Sequence, residues 1–507
     1  STGNNNVFQR YWHEVSFNKI GLNYEDIEAT KNLQHKWFPC NSGGDFRKWY
    51  GNNFIVVDWI NNGQGIKNYR NEQGQLKSAV RNEEFYFREG ITWTKLSSSN
   101  FGSRYKEIGF IFDDTGRSAF CDKTEDIYVL IALFCSKLSK EIMDILNPTL
   151  SFTNNDIARI PLKEMDNALK QKLLDLSLLN IKISKEEWDS YERSWNFRKH
   201  PFLNYVVGNI VYIQQLFSSW AEFSETHFKQ LKVNEEKINE LLINHYGLQN
   251  ELSPEVLDKD ITLLKADRVR DAKSFLSYCV GLMMGRYSLD VEGLAYAGGE
   301  WDHNKYVSFM PDEDGILPLT ESVYFEDDVV SRLEDILVTV FGKEHLAENL
   351  RWLAESLTMK SNETPVERLR RYFFDEFYKD HCKLYSKRPI YWMIDSDKKK
   401  GFRALVYLHR YNTETLAKVR FQYVQDLQEK LRAEQRRLEQ DLVNSDLTTA
   451  MKKRFEKQLI TNKLKQEELV SFDKKLAELA NQRIALDLDD GVVVNYAQLQ
   501  DVLGKIN

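Results

Sequence analysis

The sequence is poor in the residues that stiffen or cross-link small secreted proteins. Its 507 residues include nine prolines and five cysteines, and no two cysteines form a Cys-x-x-Cys pair. An odd number of widely spaced cysteines argues against a disulfide framework and favours reduced thiols in a cytoplasmic protein. Few prolines and glycines also argue against collagen, a disordered chain or a loop-rich β-sandwich.

Long apolar runs are missing as well. The longest, Ile127 to Cys135, is far shorter than the roughly 18 residues that a membrane span needs. We therefore expect no membrane partner. The chain starts at Ser1 without a methionine, which suggests that residue 1 lies inside a longer natural polypeptide.

Motifs that would carry catalysis, a cofactor or a metal are absent too. No Gly-Lys is followed by Ser or Thr, and no His-x-x-x-His occurs, which argues against a phosphate-binding loop and a zinc-type site. Asp487 to Gly491 resembles a calcium loop, but Gln498 stands where the bidentate Glu should be. Asp312 to Asp314 lacks the downstream motif of a magnesium nuclease, so a solvated turn is the expected structure. We predict no catalytic, cofactor-binding or metal-binding residue.

The pattern of the chain predicts an α+β fold, in which a β-rich target-recognition module precedes a mainly α-helical domain. At about 150 residues per domain, the length suggests roughly three domains. We place the β-rich module at residues 1–162 and the helical domain at 163–412, with a loop-rich insertion carrying short strands near 287–320. A long helical hairpin, resembling a coiled coil, and a tail are predicted at 413–507.

Local signals locate several elements within these segments. Residues 413–483 contain no Gly or Pro, and apolar residues recur at threes and fours, which predicts two antiparallel helices with a break at 444–446. Capping boxes predict helix starts at Thr364 and Ser184. Further helices are predicted over 127–145 and 254–286, and a β-hairpin is predicted from 390–394 and 402–408.

The β-rich module is locally cationic within a chain of net charge −7. Between Lys31 and Lys106, twelve Lys or Arg residues accompany six Asp or Glu residues. They alternate with aromatics, a pattern consistent with nucleic-acid binding and equally with a sheet that has an aromatic core and a charged outer face. The candidate phosphate contacts are Lys36, Asn41, Ser42, Gly43, Gly44, Arg47 and Lys48.

Two loops could present side chains to base edges. Residues 61–81 and 95–104 carry Arg and Lys, which pair with guanine, and Gln, which pairs with adenine. The candidate readout residues are Arg70, Gln73, Gln75, Lys77, Arg81, Lys95 and Arg104.

Long strings of the sequence resemble the PglX family, the adenine-specific DNA methyltransferases of BREX (bacteriophage exclusion) systems. The most distinctive string is Lys-Trp-Phe-Pro-Cys-Asn-Ser-Gly-Gly-Asp-Phe-Arg-Lys-Trp-Tyr-Gly-Asn at 36–52. Further matching strings lie at 2–5, 8–15, 89–93, 146–149, 285–290, 297–300, 387–392, 408–411 and 488–492. They are spread over nearly the whole chain.

The resemblance implies that this chain is the C-terminal half of such an enzyme, a target recognition domain followed by a helical domain. In the family, an upstream domain carries the S-adenosylmethionine site and an Asn-Pro-Pro-Tyr loop. All nine prolines here are isolated, so the cofactor is expected only for the full-length protein. The family methylates adenine in a short non-palindromic site. The implied partners are double-stranded DNA, other BREX proteins and a phage-encoded DNA-mimic inhibitor.

Other functions remain open at this point. The helical hairpin could dock other defence proteins or the DNA mimic, making the chain a scaffold, or it could pack on its own domain or span the distance to the methyltransferase. The combination of a β-rich module with helical spacers also resembles a type I restriction-modification specificity subunit. Since family members read different sites, the string at 36–52 is expected to scaffold the module or hold phosphate rather than read bases.

Overall fold

The computed structural model describes residues 2–30, 34–97, 100–147, 149, 151–206, 211–443 and 447–506. Helices and small sheets occur together, which confirms the α+β class. The chain groups into two compact units, Ser1–Pro201 with Phe217–Asp267 and Phe202–Leu216 with Arg268–Asn507. Their border does not coincide with the predicted boundaries at 162 and 412, and the division into three domains stays a prediction. Within the described residues, no helix is both long and apolar enough to cross a bilayer.

Unit 1 contains two small sheets and a set of helices. Its strands are β1 (Gln9–Tyr11), β2 (Trp37–Asn41), β3 (Ile55–Asp58), β4 (Gly90–Thr94), β5 (Ser103–Lys106), β6 (Ile111–Phe112) and β7 (Gly116–Ala119). Its helices are α1 (Asn5–Phe8), α2 (Ile60–Lys67), α3 (Thr124–Cys135), α4 (Lys137–Leu146), α5 (Asn154–Ala158), α6 (Asn167–Asp189) and the part of α7 (Ile213–Tyr246) from Phe217 onward.

The sheets of unit 1 have the orders β1-β3-β2-β6 and β5-β4-β7. All pairings are antiparallel except that of β2 with β6. The indoles of Trp12, Trp49 and Trp93 are at most 2% exposed, and each donates its N–H to an oxygen 2.7–3.1 Å away. Each of these three buried indoles therefore has an acceptor for its N–H.

Three helix predictions in unit 1 are wrong, each for a local reason. The helix expected over 127–145 is interrupted by Ser136, whose extended backbone and hydroxyl cap α4. The start expected at Ser184 lies inside α6, which begins instead after the Asp166 cap. The start expected at 254 fails because side chains of α7 hold that segment outside a helix: Asn239 donates to the Pro254 carbonyl and Glu236 accepts from the Val256 amide.

Unit 2 is mainly helical and carries a third sheet. Its helices are α8 (Arg268–Met283), α9 (Val329–Phe341), α10 (Leu346–Ser356), α11 (Pro365–Asp375), α12 (Phe377–Leu384), α13 (Thr415–Lys418), α14 (Gln425–Val443), α15 (Thr449–Asn481) and α16 (Gly491–Leu499). Its strands are β8 (Ile316–Pro318), β9 (Tyr391–Asp395) and β10 (Arg403–Tyr407), in the antiparallel order β8-β10-β9. The capping box at Thr364 and the hairpin of β9 and β10 confirm two predictions.

The predicted pair of long helices is present as α14 and α15. A π-helical stretch, Val419–Val424, precedes α14. The helices pack in antiparallel directions. Arg420, just before α14, pairs with Asp473, whereas Glu439 near the end of α14 pairs with Lys463, which precedes Asp473 on α15. The break predicted at 444–446 lies outside the described residues, and the coiled-coil description of this pair stays a prediction.

Gly116 allows β7 to pass close to the end of β2. A Cβ atom at this position would lie 2.2 Å from the Asn41 carbonyl oxygen, whereas a Cβ at Gly43 would meet nothing closer than 3.4 Å. Gly116→Ala should therefore lower stability by about 1–3 kcal/mol or more, since the backbone must move. Gly43→Ala is the matched control and should be nearly neutral. Thermal unfolding measures both, and equal melting temperatures would contradict the packing described.

Candidate nucleic-acid interface

A small hairpin formed by residues 69–77 stands out on the surface of unit 1. Its two sides are joined by an antiparallel bridge between Arg70 and Leu76 and by the Lys77 amide, which donates to the Tyr69 carbonyl at 2.9 Å. At its tip, the Asn71 amide donates to the Gln75 carbonyl and the Asn71 side chain accepts from the Gln75 amide at 2.8 Å. The tip thus has a defined hydrogen-bonded conformation.

The exposed hairpin (residues 69–77) brings four predicted readout residues together. Arg70, Gln73, Gln75 and Lys77 are all exposed on it. Arg70 also donates to the Gly74 carbonyl at 2.9 Å, and Gln75 accepts from the Asn71 side chain at 3.1 Å. Amide and cationic side chains on a two-stranded element are the groups that can read base edges in a major groove.

The first residues of the chain support the exposed hairpin from behind. The Asn4 side chain donates to the Tyr69 hydroxyl at 3.0 Å, and the Phe8 ring meets the Tyr69 ring edge-on at 5.2 Å. Gly3 approaches the Lys77 backbone so closely that a Cβ atom would lie 2.9 Å from the Lys77 carbonyl carbon. The hairpin is therefore anchored at its base and exposed at its tip.

A second group of predicted residues meets around Thr115. The Thr115 hydroxyl accepts from the Gly43 amide at 3.1 Å and lies 2.9 Å from the Ser42 hydroxyl, and the Thr115 carbonyl accepts from the Lys95 amide at 2.9 Å. The Lys95 ammonium lies 2.6 Å from Asp114 and holds the pKa of that carboxyl below its usual range. This cluster, Ser42, Gly43, Lys95 and Thr115, combines a backbone amide, two hydroxyls and a cation at a partly exposed position.

Arg117 belongs next to the same cluster and was missed from the sequence. Its guanidinium lies 2.5 Å from Asp114, which it shares with Lys95. Arg117 follows the turn Asp113-Asp114-Thr115-Gly116, in which the Asp113 carboxylate accepts from the Thr115 and Gly116 amides. In such a turn the first carboxylate accepts from the amides that follow it, and the next cation in the sequence is brought beside the turn. The Asp-Asp-Thr-Gly-Arg sequence at 113–117 is therefore the signal that could have indicated Arg117.

Two of the three cations in the string at 36–52, Arg47 and Lys48, are directed into the protein. The Arg47 guanidinium lies 2.5 Å from Glu187 and stacks 4.9 Å over the Trp188 ring. Lys48 is 6% exposed and pairs with Glu235, which also accepts from the Trp49 indole at 2.7 Å. The structure does not support phosphate contacts by Arg47 or Lys48, because both charges are already neutralised by buried carboxylates.

The remaining predicted residues are likewise distributed between surface and interior. Arg104 is 1% exposed on β5, where burial lowers its pKa to about 10, and its side chain donates to Thr94. A base contact by Arg104 is therefore not supported. Asn41 is buried, and Gly44 packs against the Asn52 side chain. Lys36 is partly exposed and lies 3.8 Å from Asp58, while Arg81 is exposed outside the hairpin.

An acidic cleft of about 520 Å³ in unit 2 contains the turn at 312–314. Asp312 is not solvated as expected: its carboxylate is largely buried and accepts from the Gly315 and Ile316 amides. Burial raises the pKa of Asp314 to about 7 and that of Asp327 to about 6. Among the described residues, no three His, Cys, Asp or Glu side chains are grouped so that they could hold a metal ion.

Comparison with known proteins identifies relatives of this chain. No family model matches it. It is 41% identical over 510 residues to the adenine-specific methyltransferase PglX of Lacticaseibacillus casei (strain Zhang), covering 99% of this chain and 42% of that protein. It is 36% identical over 538 residues to the adenine-specific methyltransferase BrxX of Escherichia coli O9:H4 (strain HS), covering 100% of this chain and 42% of that protein.

These matches confirm the resemblance to PglX that the strings indicate. The chain spans about two fifths of the length of the curated relatives that it matches. The names of these relatives assign adenine-specific methyl transfer to them. The sequence of this chain contains no Asn-Pro-Pro-Tyr motif.

Removal of Lys48 tests its placement in the interior. Lys48→Met leaves Glu235 buried without its cation, and breaking a buried pair in this way costs about 3–5 kcal/mol. We expect a clear fall in the melting temperature, and the double variant Lys48→Met/Glu235→Gln should recover part of it because the unpaired charge is gone. A Lys48→Met protein with unchanged melting temperature and weakened duplex binding would instead assign Lys48 to DNA phosphates.

Proposed function

We propose that this chain, which is homologous to the PglX and BrxX methyltransferases over nearly its whole length, is the sequence-specific DNA-recognition part of such an enzyme. The proposal rests on one observation: the exposed hairpin presents Arg70, Gln73, Gln75 and Lys77 together on an anchored scaffold. Such groups bind guanine and adenine edges with about 1–3 kcal/mol of discrimination each. Double-stranded DNA is the proposed partner.

The cluster at Ser42, Gly43, Lys95 and Thr115 is proposed to hold the DNA backbone. Backbone amides, hydroxyls and lysines commonly contact phosphate oxygens and fix the register of a protein on the duplex without reading its sequence. The Gly43 amide and the Ser42 hydroxyl lie on the loop that follows β2. Asp114 lies beside Lys95, so a bound phosphate would compete with this carboxylate for the ammonium.

For the whole protein we propose transfer of a methyl group from S-adenosylmethionine to the exocyclic amine of adenine, in a BREX defence system with the other BREX proteins as partners. No step of that transfer is assigned to a residue of this chain. A target adenine within duplex DNA must leave the base stack at a cost of a few kcal/mol. The contribution proposed for this chain is binding energy that selects the site and offsets that cost.

Gln73 offers the most direct test of base readout. Its side chain is exposed and has no hydrogen-bond partner among the described residues, whereas Arg70 and Gln75 also hold the hairpin together. Gln73→Ala should therefore remove a base contact without loosening the scaffold. Selection of bound duplexes from a randomised library by the 507-residue chain should yield a motif, and the variant should lose preference at one position of it, by about 1–3 kcal/mol.

Lys172→Ala on α6 is the matched control, since Lys172 is exposed on the same unit and outside the hairpin. It should leave the selected motif unchanged. A motif that is identical for the wild type and Gln73→Ala would remove Gln73 from the reading set. Selection that yields no motif at all with the wild type would overturn the proposed function.

A further inference from the structure

The first half of α15 concentrates positive charge to an unusual degree. Residues 449–465 contain six Lys or Arg and one Glu, whereas residues 466–481 of the same helix contain two Lys and four Asp or Glu. Four of these cations fall within six positions. We refer to Lys452, Lys453, Arg454 and Lys457 as the basic segment.

Several other cations of the helical pair have a carboxylate partner. Lys430 pairs with Asp426 and Lys463 with Glu439, at 2.6 and 3.2 Å. The basic segment differs from the remaining exposed cations of the pair in placing four cations within six positions, with Glu456 the one carboxylate among them. The four side chains of the basic segment are all exposed. Across the part of the chain that the structure describes, none of them takes part in an ion pair or a side-chain hydrogen bond.

Stability of the helix does not explain this charge. The basic segment begins three residues after Thr449, the first residue of α15, and the first turn contains no acidic side chain. The amino-terminal end of a helix carries a partial positive charge whose effect falls off within the first turn, so a cation at Lys452 is unfavourable by roughly 0.3–1 kcal/mol and the three later cations gain nothing from it. A segment that adds no stability to the helix and has no internal partner among the described residues is consistent with a role in binding.

The pairing of α14 with α15 gives the basic segment a fixed support. Asn462 is 4% exposed and donates to the Leu431 carbonyl at 3.1 Å. Gln466 donates to Gln435 at 2.8 Å and to the Asn462 side chain at 2.6 Å. Buried polar contacts of this kind set the register between two helices, so the position of α15 against α14 is defined.

From these observations we infer that the basic segment binds the phosphate backbone of duplex DNA without regard to sequence. Helix-borne Lys and Arg without internal partners release counterions when they meet phosphates, which is the main source of non-specific affinity. The basic segment belongs to unit 2, whereas the exposed hairpin proposed to read bases belongs to unit 1. The basic segment supplies electrostatic attraction to DNA within a chain whose net charge is −7.

The experiment compares two adjacent pairs of lysines on one helix. Lys452→Gln/Lys453→Gln removes half of the basic segment, and Lys474→Gln/Lys475→Gln is the control because both control lysines are exposed on the acidic half of α15. Gln keeps a good helix propensity. Duplex affinity of the 507-residue chain is measured by fluorescence anisotropy over a range of salt concentrations, with a duplex of arbitrary sequence.

The slope of log K against log salt is negative, and its magnitude should fall by about 0.9 for each phosphate contact that is removed. We expect a reduction of nearly two for the Lys452 and Lys453 pair, and of about three to four when Arg454→Gln and Lys457→Gln are added, with every duplex affected alike. The control pair should keep the wild-type slope. Melting temperatures should stay the same or rise slightly in the basic-segment variants, because unfavourable charges at the helix start are removed.

The inference is overturned if the basic-segment variants keep the wild-type slope or if the control pair loses as much. The inference is also overturned if the basic-segment variants bind duplex DNA like the wild type but bind an acidic protein more weakly in the same anisotropy assay. The proposed function is judged separately by the motif selected from a random library. If the wild type selects no motif but the basic-segment variants still reduce the slope of log K against log salt, only the proposal of base readout is overturned.

Discussion

The β-rich part of unit 1 depends on one buried carboxylate, that of Glu235 on α7. It is 3% exposed and accepts from both the Lys48 ammonium and the Trp49 indole. Burial raises the pKa of Glu235, while the adjacent Lys48 and Trp49 favour its charged form. Because unpaired buried charge is so unfavourable, the strand connection that carries Lys48 and Trp49 can occupy only the place where these partners meet.

This constraint explains why the most distinctive string of the sequence does not lie at the surface. Arg47 pairs with Glu187 and donates to the Tyr50 carbonyl, and the Tyr50 hydroxyl donates to Glu107. Residues 47–49 thus connect the sheets of unit 1 to α6 and α7 by ion pairs and a hydrogen bond. A scaffold fixed in this way leaves base readout to a different element, the exposed hairpin, whose tip residues make few contacts with the rest of the fold and are free to differ between relatives.

Elements whose signals are local could be predicted, and those determined by distant partners could not. The long helices α14 and α15 follow from a stretch without Gly or Pro, and the capping box at Thr364 from four adjacent residues. Side chains of α7 hold Pro254 and Val256 outside an α-helix, and no local pattern contains that information. The same holds for the interface, because the partners of Arg47 and Lys48 lie 140 and 187 residues away along the chain.

Local charge counts consequently overstate the positive surface of the β-rich module. Of the cations between 31 and 106, Arg104 and Lys106 are buried, and Arg47 and Lys48 are paired with buried carboxylates. Burial lowers the pKa of Lys106 to about 7, so near neutral pH it contributes only part of a charge. A cation that is neutralised inside the protein binds no phosphate and releases no counterion.

The strongest attraction to DNA is therefore expected from cations that are exposed and have no carboxylate partner among the described residues. In unit 1 these include Lys77 of the exposed hairpin and Arg81, and in unit 2 they are concentrated in the basic segment of α15. A reading element with few free cations discriminates between sequences but binds weakly, since phosphate contacts supply most non-specific affinity. A separate cationic surface supplies that affinity without relaxing the discrimination, and this physical requirement links the two proposals made for this chain.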